Sequence, residues 1–399
     1  MYRKNGQKPF GLKKTLKIMK KKEEDKMFVE LHMLQNFPPH CLNRDDTNQP
    51  KDCEFGGYRR ARISSQCLKR AIRKNPKFQE NLKGHLSKRS LRFPSQIHQY
   101  LIKEGIEENA AKKAANQFAK IAKKESGGGE SDEKDVMKTP QIMFFTDEEV
   151  EFCAKKVINA IEKNEDIIKI IRKFKDKEKS PQPRNADIAL FGRMITSDAF
   201  KDIHAACQVA HAISTNQVNM EMDFYTAVDD LNPEGETGAG MMGVVGFNSS
   251  CFYRYSCLDT GKLLENLGGD NDLCQRTIEA YMRASVAAIP TGKQNSMAAQ
   301  NLPSLIFAVV RNGGSPWSLA NAFEKPVYPD KNCSLVQKSI SALDNHWGNL
   351  CKVYGSDHIL AKPVVIVGEV ELKNLVDSKK ETLDELISET MNAVSFQEE

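Results

Sequence analysis

Ten cysteines stand in this chain of 399 residues, at positions 41, 53, 67, 153, 207, 251, 257, 274, 333 and 351, and no two of them form a C-x-x-C pair. Zinc-ribbon and zinc-finger spacing is therefore absent. Long apolar runs are missing too. The longest lies around Leu305–Val310, too short for a membrane span. The first residues are basic but lack the apolar core of a signal peptide. Together these absences point to reduced thiols in a cytoplasmic setting, most of them serving as small core residues. Thr291-Gly292-Lys293 ends like a phosphate-binding loop, but the upstream glycine of G-x-x-x-x-G-K is missing, so nucleotide hydrolysis is not expected. A strong overall charge is lacking as well. Residues 1–26 hold ten Lys/Arg against three Asp/Glu, so the net charge of +5 leaves −2 for the remainder. Nucleic-acid binding has to be argued from local clusters.

One such cluster is present. Between Tyr58 and Lys74 stand Arg59, Arg60, Arg62, Lys69, Arg70, Arg73 and Lys74, with no acidic residue among them. Gly56-Gly57 permits a tight turn just before it. Ser64-Ser65 offers a helix cap, because a serine oxygen accepts from an unpaired N–H of the first turn. On that helix Gln66, Lys69, Arg70 and Arg73 fall at i, i+3, i+4 and i+7, which is one face. Leu68, Ala71 and Ile72 fall on the other. Basic strand, hydroxyls, helix start and basic stripe make a phosphate-binding surface by charge and geometry. The plain alternative is a solvated basic helix face.

The rest of the chain has a readable texture. Residues 1–26 are basic and poor in core formers, and disorder is expected there. They form either an over-extended start, with Met27 as the initiator, or a basic arm for nucleic acid. Residues Phe28 to Phe37 alternate loosely and read as a strand, with His32 structural inside it. In the loop that follows, Asp45 and Asp46 could hold a metal, but capping a turn or positioning Arg44 is the better reading. Residues 78–185 are lysine-rich and helical, broken by Ser126-Gly127-Gly128-Gly129. Lys169, Arg172 and Lys173 share a helix face, with Glu162, Glu165, Asp166 and Asp176 interspersed. Arg184 to Met194 reads as strand. Ile203–Ser214 reads as a helix carrying His204 and His211, whose spacing does not suit a metal pair. Val218 to Val228 alternates strictly, a Gly/Pro-rich turn follows, and Val244–Leu258 alternates again: a hairpin arm. Its Met, Phe and Tyr side chains either pack in a core or stack on nucleobases. Asp270 to Ile289 reads as an amphipathic helix, Ser304–Arg311 as a buried strand, Asn345–Tyr354 as part of a late helix, and the acidic stretch from Leu372 onward as helical.

The order of motifs resembles a known family. It comprises Cys41-Leu42-Asn43-Arg44-Asp45-Asp46, Lys51-Asp52, Phe55-Gly56-Gly57, Arg62-Ile63-Ser64-Ser65-Gln66 and Leu68-Lys69-Arg70. Downstream come Asp187 to Leu190, Gly192-Arg193-Met194, His211-Ala212-Ile213, Phe224 to Leu231, Phe252 to Tyr255, Leu264 to Gly269 and Ala320 to Glu324. In combination these resemble the backbone subunit of the type I-E CRISPR surveillance complex, Cascade (the CasC family). The resemblance spans roughly residues 27–325.

The resemblance implies an α+β fold: an RNA-recognition-motif-like palm, a helical finger insertion and a β-hairpin thumb. On that plan residues 1–26 are the extension, 27–77 the first part of the palm, and 78–185 the fingers. Residues 186–214 are palm again, 215–250 the thumb, and 251–399 palm and C-terminal region. It also implies a subunit without catalytic residues, resident metal or cofactor, polymerising head to tail along CRISPR RNA with other Cascade subunits and meeting target DNA through that RNA. The RNA-binding candidates are Arg44, Lys51, Arg59, Arg62, Ser64, Gln66, Lys69, Arg70, Arg73 and Lys293. Met194, Phe224, Tyr225 and Thr226 are carried over from the resemblance for base contact, and Lys169, Arg172 and Lys173 face target DNA or solvent. Glu221 and Asp223 would repel RNA, so they are expected to face a neighbouring subunit. The rival function is a metal-dependent endoribonuclease using Asp45 or Asp46. A second rival is a general RNA-binding protein that forms no filament.

Overall fold

The computed structural model describes residues 26–121, 137–163, 165, 182–195, 200, 202–228, 230–231 and 239–394. The expected extension up to residue 25, the Ser126–Gly129 linker, most of the hairpin tip, and Lys169, Arg172 and Lys173 lie outside them. The architecture is mixed α+β with a large antiparallel sheet. The strands are β1 (Met27–His40), β2 (Asp52–Phe55), β3 (Tyr58–Ile63), β4 (Lys88–Ser90), β5 (Met143–Phe145) and β6 (Cys207–Val209), then β7 (Ala212–Ser214), β8 (Glu221–Val228), β9 (Ala239–Asp259), β10 (Leu305–Asn312), β11 (Ile359–Ala361) and β12 (Val364–Ile366). The helices are α1 (Ser65–Lys74), α2 (Pro76–Asn81), α3 (Phe93–Lys103), α4 (Glu108–Ile121), α5 (Asp147–Glu162) and α6 (Ala186–Phe191), then α7 (Thr260–Asn266), α8 (Asn271–Ala287), α9 (Gln294–Met297), α10 (Leu335–Tyr354) and α11 (Leu383–Ala393). None of them is long and apolar enough to cross a membrane.

The chain forms two compact units. The first comprises residues 1–78, 208–261 and 278–399. Its sheet runs β11-β10-β1-β9-β7-β3-β2. The central strand β1 pairs antiparallel with β10 from Met27↔Asn312 to Leu34↔Leu305, and with β9 from Phe28↔Asp259 onward. Apolar clusters cover both faces of this sheet. One gathers Leu34, Phe307, Phe323 and Trp347 under α10; the other gathers Phe37, Ala61, Ile63, Phe252 and Leu68 of α1. A strand covered on both faces has no solvent side to alternate with, which is why β1 alternates only loosely and β10 is a continuous apolar run. Two buried polar side chains of β1 find partners across the sheet: Glu30 accepts from Arg311 Nε at 2.9 Å, and His32 Nδ1 lies 2.8 Å from the Tyr253 hydroxyl.

The second unit comprises residues 79–207 and 262–277. Phe93, Ile97, Leu101, Phe118, Val150 and Val157 fill the core among α3, α4 and α5. A capping box opens α5: Thr146 Oγ accepts from Glu149 N at 3.1 Å, and Glu149 Oε accepts from Thr146 N at 3.0 Å.

Two local expectations are corrected. Residues 184–194 do not form a strand; Ala186–Phe191 is a one-and-a-half-turn helix whose Asp187 carboxylate accepts from Ser87 N and Oγ at 2.9 and 2.8 Å. That buried anchor joins the segment to the second unit, so residues 186–207 do not continue the sheet-bearing unit. Residues 203–214 are not a helix: Cys207–Val209 and Ala212–Ser214 are short strands, and Ile213 pairs with both Arg62 and Tyr253. Sheet pairing from both sides outweighed helical spacing.

Candidate nucleic-acid interface

The basic stretch folds as a hairpin followed by a helix. Phe55 pairs with Tyr58, leaving Gly56-Gly57 as a two-residue turn with φ of +62° and +78°. Both positive values match the turn that suits the right-handed twist of a hairpin. A Cβ on Gly56 would also overlap the carbonyl oxygen of Glu324. Beyond the turn the arginines part company. Arg60 is fully buried. Its Nη1 donates to the carbonyls of Ser214 (2.9 Å) and Thr215 (3.1 Å), and its Nη2 to those of Phe323 (2.8 Å) and Glu324 (3.0 Å). It is a clamp, out of reach of any phosphate. Arg59 points outward and meets Asp52 at 2.5 Å. Arg62 donates through Nε to the Asp52 carbonyl (3.0 Å) and its Nη1 lies 3.1 Å from His211 Nδ1. Burial, and the nearby charges of Arg62 and Lys51, hold the His211 pKa below its ordinary value.

Ser64 caps α1 as its position suggests, its Oγ accepting from Cys67 N at 3.3 Å. Asn43 then ties the preceding loop to this helix start: its Oδ1 accepts from Ser64 N at 2.8 Å, and its carbonyl from Lys51 N at 2.8 Å. Arg62 N donates to the Lys51 carbonyl at 2.9 Å. Arg44, Lys51, Arg62 and the N-terminus of α1 therefore belong to one braced surface. Gln66 and Arg70 of α1 are exposed and Lys69 is half-buried. Arg73 is not on that open face. It is 9% exposed in the last turn of α1, where a cation complements the carbonyl end of the helix.

Asp45 serves its own loop. Asp45 Oδ1 accepts from Thr47 N (2.9 Å), Thr47 Oγ (2.8 Å) and Gln49 N (2.9 Å). The Gln49 and Thr47 bonds hold the Asp45 pKa below the usual carboxylate value. Arg44 Nη1 donates to Asn48 Oδ1 at 2.5 Å. Among the described residues no three His, Cys, Asp or Glu side chains gather as a metal would need.

The loop at Lys293 closes one side of this surface. A Cβ on Gly292 would overlap the carbonyl oxygen of Leu42, so glycine lets the two loops touch. A polar cleft between them is lined by Asn43, Arg44, Asp45 and Asn48. Lys293 also lines a second, largely apolar groove with Pro38, Pro39, Tyr225, Val245 and Met297, at the base of the β8–β9 hairpin.

The hairpin itself pairs from Glu221↔Phe247 to Val228↔Ala239. Met222, Phe224 and Thr226 lie on one face beside Val244 and Met242, and that face is bare: Phe224 is 62% and Met242 66% exposed. Core packing is therefore not what these side chains do. On the other face Glu221, Asp223 and Tyr225 alternate, and the Tyr225 ring lies across Gly243, where a Cβ would come within 2.5 Å of it. Met194 belongs to the second unit and is 90% exposed. Neither the roles of Asn43 and Arg60 nor the seat of Tyr225 was legible from spacing.

The fold agrees with comparison to known proteins. The chain belongs to the CT1975-like protein family, whose model matches residues 29–389. A solved chain described as "CRISPR RNA-guided surveillance complex, pre-nicking" is similar at 29% identity with a TM-score of 0.78, over 92% of this chain and 99% of that one. A second, described as "CRISPR RNA-guided surveillance complex", shares the fold at 24% identity and a TM-score of 0.59, with the same coverage of 92% and 99%. No curated protein sequence matches the chain.

Proposed function

We propose that this chain is a non-catalytic backbone subunit of a CRISPR surveillance complex of the type I-E Cascade class. It polymerises head to tail along CRISPR RNA and presents its bases for pairing with target DNA. In this reading the sheet of the first unit is the RNA-recognition-motif-like palm, the helical unit the fingers, and the β8–β9 hairpin the thumb. The observation that carries it is the braced basic surface of Arg44, Lys51, Arg62 and the capped start of α1, adjoining Lys293 and a hairpin with a bare apolar face. Cations and helix N–H groups take phosphates without regard to sequence. Exposed Met and Phe side chains suit stacking on bases, again without reading them. Arg59, Ser64, Gln66, Lys69, Arg70 and Lys293 extend the phosphate track, and Met194, Phe224, Tyr225 and Thr226 meet bases. Sequence is then read by guide–target pairing, the division of labour seen in another RNA-guided effector. Support comes also from the similar chain of a surveillance complex, matched along nearly its whole length.

The non-catalytic part is supported by Asp45, one of whose two carboxylate oxygens, Oδ1, is committed to three donors of its own loop. The test is to purify the protein from cells carrying a CRISPR array and size the RNA that accompanies it. A discrete guide-sized RNA in a large assembly, protected at regular intervals, is expected. A monomer free of RNA, or one that shortens added RNA with a divalent metal, overturns the proposal.

A further inference from the structure

Met194 is held out on a rigid mount. Its neighbour Arg193 is buried, and Arg193 Nη1 donates to both carboxylate oxygens of Glu149, at 2.8 and 2.9 Å. The backbones of Arg193 and Ile203 exchange two hydrogen bonds, at 2.9 and 2.8 Å. On the other side of Met194, Ile195 N donates to Asp202 Oδ1 at 2.8 Å. Gly192, with φ +78°, lies so close to the Ile203–Ala205 backbone that a Cβ would stand 2.9 Å from Ala205 N. Glu149 is itself fixed, since its carboxylate also closes the capping box with Thr146. Among the described residues, these bonds grip the neighbours of Met194 while its own side chain is 90% exposed.

That contrast needs a reason. A methionine has three soft side-chain torsions, so its reach is set by where its backbone is held. Burying an ion pair is costly, because desolvation offsets much of the attraction between the charges, so the Glu149–Arg193 pair is weak evidence for stability alone. We infer that Glu149 is a positioning residue: through Arg193 it fixes the point from which Met194 projects toward bound RNA. The inference rests on the function proposed above, in which Met194 meets a base.

The experiment uses the assembled ribonucleoprotein purified from cells carrying a CRISPR array. Base reactivity along the bound RNA is mapped with dimethyl sulfate. Met194→Ala and Glu149→Gln are each expected to reduce the periodic enhancement of reactivity about threefold, the low end of coupling between contacting residues, with RNA length and content unchanged. Glu149→Gln keeps the shape and one acceptor oxygen but removes the charge. In the Met194→Ala background it is expected to change nothing further, which a merely structural role would not produce. Gly192→Ala disturbs the same mount without touching the ion pair, is expected to give the same loss, and decides the matter if Glu149→Gln fails to fold. A periodic pattern that survives both Glu149→Gln and Gly192→Ala overturns the inference alone; one that Met194→Ala leaves intact overturns the base contact of Met194 proposed above and the inference with it. A wild-type protein without RNA overturns the function and the inference together.

Discussion

Arg60 Nη2 stands 3.0 Å from the carbonyl oxygen of Glu324, the same oxygen that a side chain on Gly56 would strike. One carbonyl thus anchors the strand by a hydrogen bond and limits the turn by contact. Replacing Arg60 by Ala removes donors from four carbonyls at once. Each buried group left without a partner costs about 1–3 kcal/mol, so a loss of about 3 kcal/mol or more is expected. Arg59→Ala, on the exposed side of the same strand, is expected to stay within about 0.5 kcal/mol. Urea unfolding of the two variants checks this; equal losses would refute the clamp.

The two turn glycines are expected to differ. Gly57 has φ +78° and open space around its missing Cβ, so Gly57→Ala costs only backbone strain, about 1 kcal/mol. Gly56→Ala adds a collision with backbone that cannot move aside. Its melting temperature is expected to fall clearly further than that of Gly57→Ala, and a reversed order would refute the close approach.

Much of this was legible in the sequence, and the gaps have physical causes. The glycine turn, the Ser64 cap, the β8–β9 hairpin and the β10 run each depend on neighbours in the chain. The short segments at 184–194 and 203–214 did not read correctly. Ala-Asp-Ile-Ala-Leu-Phe is apolar at almost every position, and periodicity cannot tell a buried helix from a buried strand over so short a run. Arg60 looked like its neighbours because its partners lie more than 150 residues away. Arg73 looked exposed because helical spacing says which residues share a face, not what covers its end.

Acid should weaken the first unit. Burial lowers the pKa of His32 to about 3 and, despite backbone hydrogen bonds at Pro38 and Asn248 that act in the opposite direction, that of His40 to about 4, from an ordinary 6.5. Between those values and 6.5 the unfolded chain binds protons that the folded chain refuses. Stability therefore rises with pH through that window and is fully present above about 6.5, with a slope of up to about 1.4 kcal/mol per pH unit for each histidine. Asp45 acts in the same direction: its folded pKa is depressed, so its contribution is present above the ordinary carboxylate value and fades as pH falls through the folded one. Unfolding midpoints in urea at pH 7.5 and 5.0 test this. A midpoint that does not fall on acidification would contradict the buried neutral state of both imidazoles.

If Lys51, Arg62 and Arg70 touch phosphates, each change to Ala weakens binding to RNA of any sequence. Each is also expected to reduce the salt slope of log K by about 1. Arg73→Ala, buried at the helix end, is expected to leave that slope unchanged. Fluorescence anisotropy with a labelled single-stranded RNA at several salt concentrations measures both. A slope lowered by Arg73→Ala and not by Arg70→Ala would place the contact face on the wrong side of α1.

Asp45 and Asp46 separate the two functional readings most cleanly. Asp45→Asn keeps an oxygen that can still accept from Thr47 N and Gln49 N, so the turn survives while the charge is lost. If Asp45 serves the loop, Asp45→Asn binds RNA as the parent does, whereas Asp45→Ala loosens the segment bearing Arg44 and Lys51 and binds more weakly. Asp46, exposed and outside that network, is expected to be silent as Ala. If either aspartate held a catalytic metal, Asp45→Asn or Asp46→Ala would abolish a metal-dependent shortening of RNA shown by the parent. The same labelled RNA, incubated with magnesium or manganese and resolved by length, distinguishes them: intact RNA with the parent and both variants is the outcome expected of a subunit that holds RNA and leaves cutting to another protein.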